Sequence, residues 1–227
     1  MINYLDRLDK ELLLIFNGNG DPYWDSVMWL YSGKVVWIPV AFAFIWYFIR
    51  KGGWRESLFV LLSIVLLITL CDQITSSFFK PFFERLRPGN QPGLQDLLTY
   101  VNGYRGGKYG FVSSHAANSI GFATFTALLF RKKSYSILIF LWAIVNSYSR
   151  LYLGVHFPGD VLVGGVIGLL LGLGVYILYA TIHRNYQTKL RLPYGESPYT
   201  PDLPVAPVAM LISTIIVILA FGPFLVK

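Results

Sequence analysis

The sequence predicts an all-α integral membrane protein, a bundle of six transmembrane helices with an N-terminal interfacial helix. Three observations predict it. Of the 227 residues, 55% are hydrophobic and only 14% are charged, against roughly 25% charged in a soluble domain. Six stretches approach the ~20 apolar residues that a crossing needs, at residues 27–49, 58–79, 114–130, 134–152, 161–182 and 205–225. The segments between them are short and basic, glycine-rich or proline-rich.

The elements follow in chain order. Over residues 2–17, Leu5, Leu8, Leu12 and Ile15 recur at helical spacing, while Asp6, Arg7, Asp9, Lys10 and Glu11 mix charge signs. That pattern reads as an amphipathic helix at the interface and not as a secretory signal, whose apolar stretch is longer. Span one contains Lys34, and span two contains Asp72 together with Cys71, the one cysteine of the chain, so no intrachain disulfide can form. Charges at membrane depth are costly. A Lys34–Asp72 pair, a headgroup contact by Lys34 and simple snorkelling are the three readings of that pair.

The longest connection, 80–112, carries one apolar patch. Leu94, Leu97, Leu98 and Val101 recur at helical spacing between glycine-rich flanks, which predicts a short helix acting as a re-entrant or flap loop over 89–111. The shortness of span three suggests that the polar residues at its start face protein. Ala117 and Gly121 in span three, and Gly164, Gly168 and Gly172 in span five, stand four apart. Such stripes let helix backbones approach closely. After span five, Pro193, Pro198, Pro201 and Pro204 make 185–204 an extended linker. The whole chain, 1–227, reads as one domain.

Net charge is +7, but no nucleic-acid-binding motif accompanies it, and basic residues also flank membrane spans. The bilayer, not nucleic acid, is the expected partner. Alternation of six spans puts nine Lys or Arg on each side of the membrane. Setting aside Lys80, Arg87 and Arg150 as site residues leaves nine against six, which puts the basic connections in the cytoplasm and the site outside, in a bacterial inner membrane.

That site is read from the helix ends on one face. Lys80, Arg87, Ser113, Ser114, His115, Arg150, His156 and Asp160 all fall there. Phosphoryl transfer needs cations and N–H donors around the phosphate oxygens. Arg87 and Arg150 offer planar forks and Lys80 a point charge, while Ser113 and Ser114 open a helix whose amides can face an anion. One neutral histidine can attack phosphorus and a second can protonate the leaving oxygen. Asp160, four residues after His156, can hold its tautomer. His183, at the opposite end of span five, reads as structural. No cofactor is expected, because the chain lacks a carboxylate cluster for Mg²⁺ and a His/Cys set for Zn²⁺.

The spacing resembles the type 2 phosphatidic acid phosphatase (PAP2) family. Its first motif, Lys, six residues, Arg-Pro, is matched by Lys80, Arg87 and Pro88; its third, Ser-Arg, five residues, His, three residues, Asp, by Ser149, Arg150, His156 and Asp160. The middle motif, Pro-Ser-Gly-His, is matched at Ser113 and His115, with Val112 and Ser114 departing from it. The resemblance implies that His156 is the nucleophile of a phosphohistidine intermediate, Asp160 orients it, His115 protonates the leaving group, and Lys80, Arg87, Ser113, Ser114 and Arg150 hold the phosphate. It implies a metal-independent phosphatase acting on a membrane lipid phosphate. A polyprenyl (undecaprenyl) diphosphate is the leading expected substrate, with phosphatidylglycerophosphate, phosphatidate and lipid A phosphates as alternatives. The rival readings are a vanadate-dependent haloperoxidase, which shares the motifs, and a lipid transporter or scramblase.

Overall fold

In a computed structural model of the protein, residues 2–189, 198–199 and 203–226 are described. Much of the predicted proline-rich linker, including Pro193 and Pro201, lies outside the described residues. Those described form α-helices α1 (Ile2–Phe16), α2 (Pro22–Ser32), α3 (Ile38–Asp72), α4 (Lys80–Phe83), α5 (Ser114–Phe130), α6 (Lys133–Tyr152), α7 (Pro158–Lys189) and α8 (Val205–Leu225). Among the described residues there is no strand, and the one β-bridge joins Leu86 to Tyr109. Three stretches are long and apolar enough to cross a membrane: Val35–Phe83, Pro158–Asn185 and Val205–Leu225.

The predicted first span differs from what forms. Asp21 caps α2, accepting from the amides of Tyr23 and Trp24, and Pro22 presets the first turn. The helix therefore starts at residue 22, not 27, and ends at Gly33. The Tyr31 carbonyl released by this break is not left bare. Trp37 Nε1 donates to it at 2.9 Å and Asn146 Nδ2 at 3.2 Å.

Helix α3 is two arms in one. Gly53 has φ +69° and ψ 176°, a conformation that turns the chain at little cost only for glycine. Phe44 of the first arm packs edge-on against Phe122 of α5 at 5.4 Å. On the second arm, Leu67 and Cys71 lie against Gly121. Both arms therefore pass the same level of α5, and the chain reverses at Gly53. The second arm widens into a π-helical segment, Gln73–Phe79, where the Thr75 hydroxyl donates to the Cys71 carbonyl at 2.7 Å. Such widenings are common at functional sites. After α4, Glu84 at φ +46° ends the helix.

Helix α5 sits in the middle, and its short, polar sequence follows from that place: Ala117, Ser119, Gly121, Thr124 and Thr126 are all buried. The small-residue stripes meet as expected. A Cβ on Gly168 would lie 2.2 Å from the Ala117 carbonyl oxygen, and one on Gly172 would lie 2.6 Å from that of Gly121. Phe48, Phe125, Phe130, Tyr135 and Ile139 belong to the core around it. Helix α7 runs on to Lys189, past the predicted end at 182. His183 meets Glu56 at 2.9 Å, away from the other two histidines.

The helix expected over 94–101 is not formed. Two 3-10 turns, Gln95–Leu97 and Val101–Gly103, stand there instead. Leu94 and Leu98 are buried with Leu13 of α1 and Phe157, while Val101 packs with Tyr152 and Leu153. The four apolar side chains thus do not share one face: Leu97 is 65% exposed.

Candidate active site

The ends of α4, α5, α6 and α7 converge on a cavity of about 790 Å³. Lys80, Arg87, Ser114, His115, Arg150 and His156 line its polar end, joined by Tyr104. The cavity continues past Phe44, Ile64 and Ile139 as far as Phe48, close to the Gly53 turn. Its polar end therefore leads into an apolar channel between helices.

Each cation is aimed by its neighbours. Lys80 Nζ donates to Ser114 Oγ at 2.9 Å and to Ser76 Oγ at 3.0 Å. Arg87 Nε donates to the Tyr109 carbonyl at 3.1 Å, and a Cβ on Gly106 would strike its guanidinium at 2.4 Å. Arg150, 4% exposed, donates to the Ser32 hydroxyl at the helix break and lies 5.9 Å from the Tyr104 ring. Among the described residues no carboxylate comes within ion-pair reach of Lys80, Arg87 or Arg150. Burial, and then the neighbouring Arg150, hold the Arg87 guanidinium below the ordinary arginine range. Like charges gathered with no carboxylate in direct contact make a site for an anion.

His156 is 2% exposed on the link between α6 and α7. Burial, then Arg87, Arg150 and Lys80, push its pKa well below the usual 6.5, so the imidazole is neutral. Its Nδ1 lies 3.4 Å from Asp160 Oδ2, at the long end of hydrogen-bond range. With Nδ1–H directed at that carboxylate, the lone pair is on Nε2.

Asp160 does not line the cavity but stands behind His156, fully buried. Arg85 Nη1 donates to its Oδ1 at 2.8 Å, and the Phe157 amide donates to its Oδ2 at 3.0 Å. Arg85 Nη2 reaches Asp9 Oδ2 of α1 at 2.7 Å, and Asp9 Oδ1 accepts from the Gly159 amide at 2.7 Å. The Arg85 guanidinium also lies over the Phe157 ring at 4.2 Å.

Seven of the eight residues expected at the site are therefore in place around or directly behind the cavity. Ser113 is the exception: it is fully buried and off the cavity wall. Its amide donates to the Asp160 carbonyl at 3.0 Å, and its hydroxyl caps α5 by accepting from the Ala116 amide at 3.4 Å. An amide already committed to a carbonyl cannot hold a phosphate. Nor do Lys34 and Asp72 form an ion pair. Asp72 accepts from Asn118 Nδ2 at 3.0 Å, while Lys34 is exposed at the cavity wall.

Sequence reasoning missed Arg85, Asp9, Ser32, Thr75, Ser76 and Tyr104. Arg85 had one usable signal, a third cation between Lys80 and Arg87. Asp9 had none, since an acidic residue on an amphipathic helix reads as surface.

An all-helical membrane protein with a cation-lined, histidine-bearing cavity at one end of its bundle defines a class of enzymes acting on anionic lipids. The profile of the PAP2 superfamily matches residues 60–184, and the chain belongs to that family. It is a membrane lipid phosphatase, a hydrolase. A lipid A 4'-phosphatase of Bacteroides thetaiotaomicron is 45% identical over 185 residues, covering 81% of each chain. One of Porphyromonas gingivalis is 40% identical over 178 residues, 78% of this chain and 75% of that protein. In fold, the chain is similar to the crystal structure of a transmembrane PAP2-type phosphatidylglycerolphosphate phosphatase from Bacillus subtilis. The TM-score is 0.60 at 21% identity, over 81% of this chain and 88% of that one.

Proposed function

We propose that this protein removes a phosphate monoester from a saccharide-based lipid of the lipid A type, through a phosphohistidine intermediate and without a metal. The observation that carries the chemistry is the group of three cations, Lys80, Arg87 and Arg150, none of them in an ion pair among the described residues, around a neutral, buried His156. The substrate class is supported by the two lipid A 4'-phosphatases, each matched over more than three quarters of this chain. These relatives favour lipid A over the polyprenyl diphosphate expected from the six-span layout with its N-terminal interfacial helix.

In this reading the lipid's tails occupy the apolar channel and its phosphate sits among Lys80, Arg87, Ser114 and Arg150. His156 Nε2 attacks phosphorus in line, the P–O bond to the sugar breaks, and His115 delivers a proton to the departing oxygen. Water, activated by the now basic His115, then attacks the phosphohistidine, breaking the P–N bond and releasing inorganic phosphate. Asp160 holds the His156 tautomer and balances the charge that develops on the ring. Ser113 acts only through the helix it caps.

Six crossings are part of the proposal. The 49-residue stretch Val35–Phe83 folds back at Gly53 and supplies two of them, with α2 completing the first. Helices α5 to α8 supply four, and α1 lies at the interface on the site side with Leu5 and Ile15 exposed. The loop over 89–111 roofs the site. The basic excess on the opposite side supports a site on the periplasmic face of a bacterial inner membrane.

Phosphate release from a purified panel tests the substrate: a 4'-phosphorylated lipid A, undecaprenyl diphosphate, phosphatidylglycerophosphate and phosphatidate. The highest kcat/KM is expected on the first, with a product that has lost only its 4'-phosphate. A higher value on undecaprenyl diphosphate would reinstate the polyprenyl reading.

A further inference from the structure

The carboxylate behind His156 is held by Arg85 and the Phe157 amide, and Arg85 is held in turn by the N-terminal helix. Asp160 has no exposure, so its charge depends on the partners it finds inside the protein. Among the described residues, Arg85 is the Lys or Arg bonded to it, through Nη1 at 2.8 Å. The other arm of the same guanidinium, Nη2, is fixed by Asp9 Oδ2 at 2.7 Å, with Asp6 at 3.5 Å. Asp9 then closes a ring: its Oδ1 accepts from the amide of Gly159, the residue before Asp160. Gly159 has no side chain to obstruct this, as a Cβ there would stand 2.9 Å from Asp9 Oδ2.

A planar fork held at both ends cannot rotate, whereas a fork held at one end can. We infer that α1 is a working part of the active centre, with Asp9 a positioning residue that acts through Arg85 on Asp160 and so on the His156 imidazole. The inference rests on the reading of His156 as nucleophile and Asp160 as its orienting carboxylate. Asp9 touches neither the cavity nor the substrate. Its removal therefore weakens the chemical step and leaves binding alone. Replacing groups that orient a reactive histidine typically lowers function by about ten- to a hundredfold.

The test uses the full-length protein in detergent and a soluble aryl phosphate, with kcat and KM determined separately. Asp9→Ala is expected to lower kcat about tenfold with KM within about twofold of wild type. Asp9→Asn keeps one oxygen, for either Gly159 or Arg85, and sets its NH2 against the other donor, so its kcat is expected to fall between those of Asp9→Ala and wild type. Asn17→Ala serves as the control for α1 docking, because Asn17 bonds Thr99 and Tyr152 and has no bond into the ring. It is expected to lower the melting temperature while kcat stays within about twofold. Wild-type kcat in Asp9→Ala, or an equal loss in Asn17→Ala, overturns the inference. If Asp9→Ala does not accumulate as folded protein, Arg85→Lys decides, since a single ammonium lacks the rigid planar fork that fixes the two carboxylates relative to each other; an unchanged kcat there overturns it equally. His156→Ala is measured alongside. Activity in that variant would refute the reading of the site itself, whereas an inactive His156→Ala beside a fully active Asp9→Ala refutes the role of Asp9 alone.

Discussion

Lys80 Nζ lies 2.9 Å from Ser114 Oγ, so the cation that ends one membrane arm is held by the hydroxyl that opens α5. Ser114 Oγ also lies 2.7 Å from Thr75 Oγ1 and 3.0 Å from Ser76 Oγ. This serine stands where the family motif has glycine, and its side chain takes over the task of aiming Lys80.

Ser114→Ala should release one anchor of Lys80, a neutral-to-charged hydrogen bond worth about 1.5 kcal/mol, or roughly tenfold in kcat/KM. Steady-state kinetics on a lipid phosphate check this. A value within twofold of wild type would mean that Ser76 alone aims the cation.

The two histidines should separate by substrate. His156→Ala should abolish turnover on every phosphate ester, because no intermediate can form. His115→Ala should lose far more on a lipid phosphate than on an aryl phosphate, whose leaving oxygen needs little help from an acid. Equal losses would remove His115 from that role.

Acid should reveal the state of His156. Its pKa is depressed by burial first and by Arg87, Arg150 and Lys80 next, so the acid limb of kcat/KM should fall below the ordinary value of about 6.5. Arg87→Gln removes the largest of those charge effects, which should move the limb to higher pH even as activity falls. The same shift acts on stability. The unfolded chain takes up a proton at about 6.5 that the native ring refuses, so this contribution is complete above that pH and is lost progressively below it. Melting temperatures between pH 7 and pH 5 should fall more steeply for wild type than for His156→Gln. Parallel slopes would place a charged ring in the native state.

Chelation should leave activity intact. Cations, hydroxyls and imidazoles perform the whole reaction proposed above, so full turnover is expected in excess EDTA. Loss of activity with recovery on adding Mg²⁺ would overturn the mechanism.

The membrane face can be read with a single thiol. Gly107 is exposed, with open space where a Cβ would stand, whereas Asn102 in the same loop has φ +53° and would strain a cysteine. Gly107→Cys in a Cys71→Ser background should react with an impermeant reagent in cells whose outer membrane alone is permeabilised. Labelling only after the inner membrane is opened would put the site in the cytoplasm.

Much of the site was legible because motif spacing counts residues along helices, and helix ends on one face are neighbours in any compact bundle. Lys80, His115, Arg150 and His156 meet for that reason. What spacing cannot report is which partner a side chain chooses. Arg85 sits between two phosphate-facing cations, yet turns away from the cavity to Asp160 and Asp9. Ser113 obeys the motif and spends both its polar groups on the backbone. Hydropathy over 27–49 also averages across the break at Gly33, although Asp21-Pro22 ahead of α2 was a readable start. The pattern over 94–101 misled for a different cause. Side chains in an irregular segment turn inward one by one, and their spacing imitates a helix.

The seam between α5 and α7 sets how a lipid can come and go. Where Gly164, Gly168 and Gly172 meet Ser113, Ala117 and Gly121, main chain rests on main chain with no side chain to swing aside. A hydrocarbon tail cannot slip between surfaces that would not admit one methyl group. These two helices carry His115 at one start and Asp160 at the other, so the seam fixes the spacing between His115 and the carboxylate beside His156. On the opposite flank, rotatable side chains such as Phe44, Ile45 and Leu61 border the cavity, and a lipid is expected to enter there. The same molecule is thus a stiff jaw facing a pliable one, and its traffic with the bilayer is lateral and one-sided.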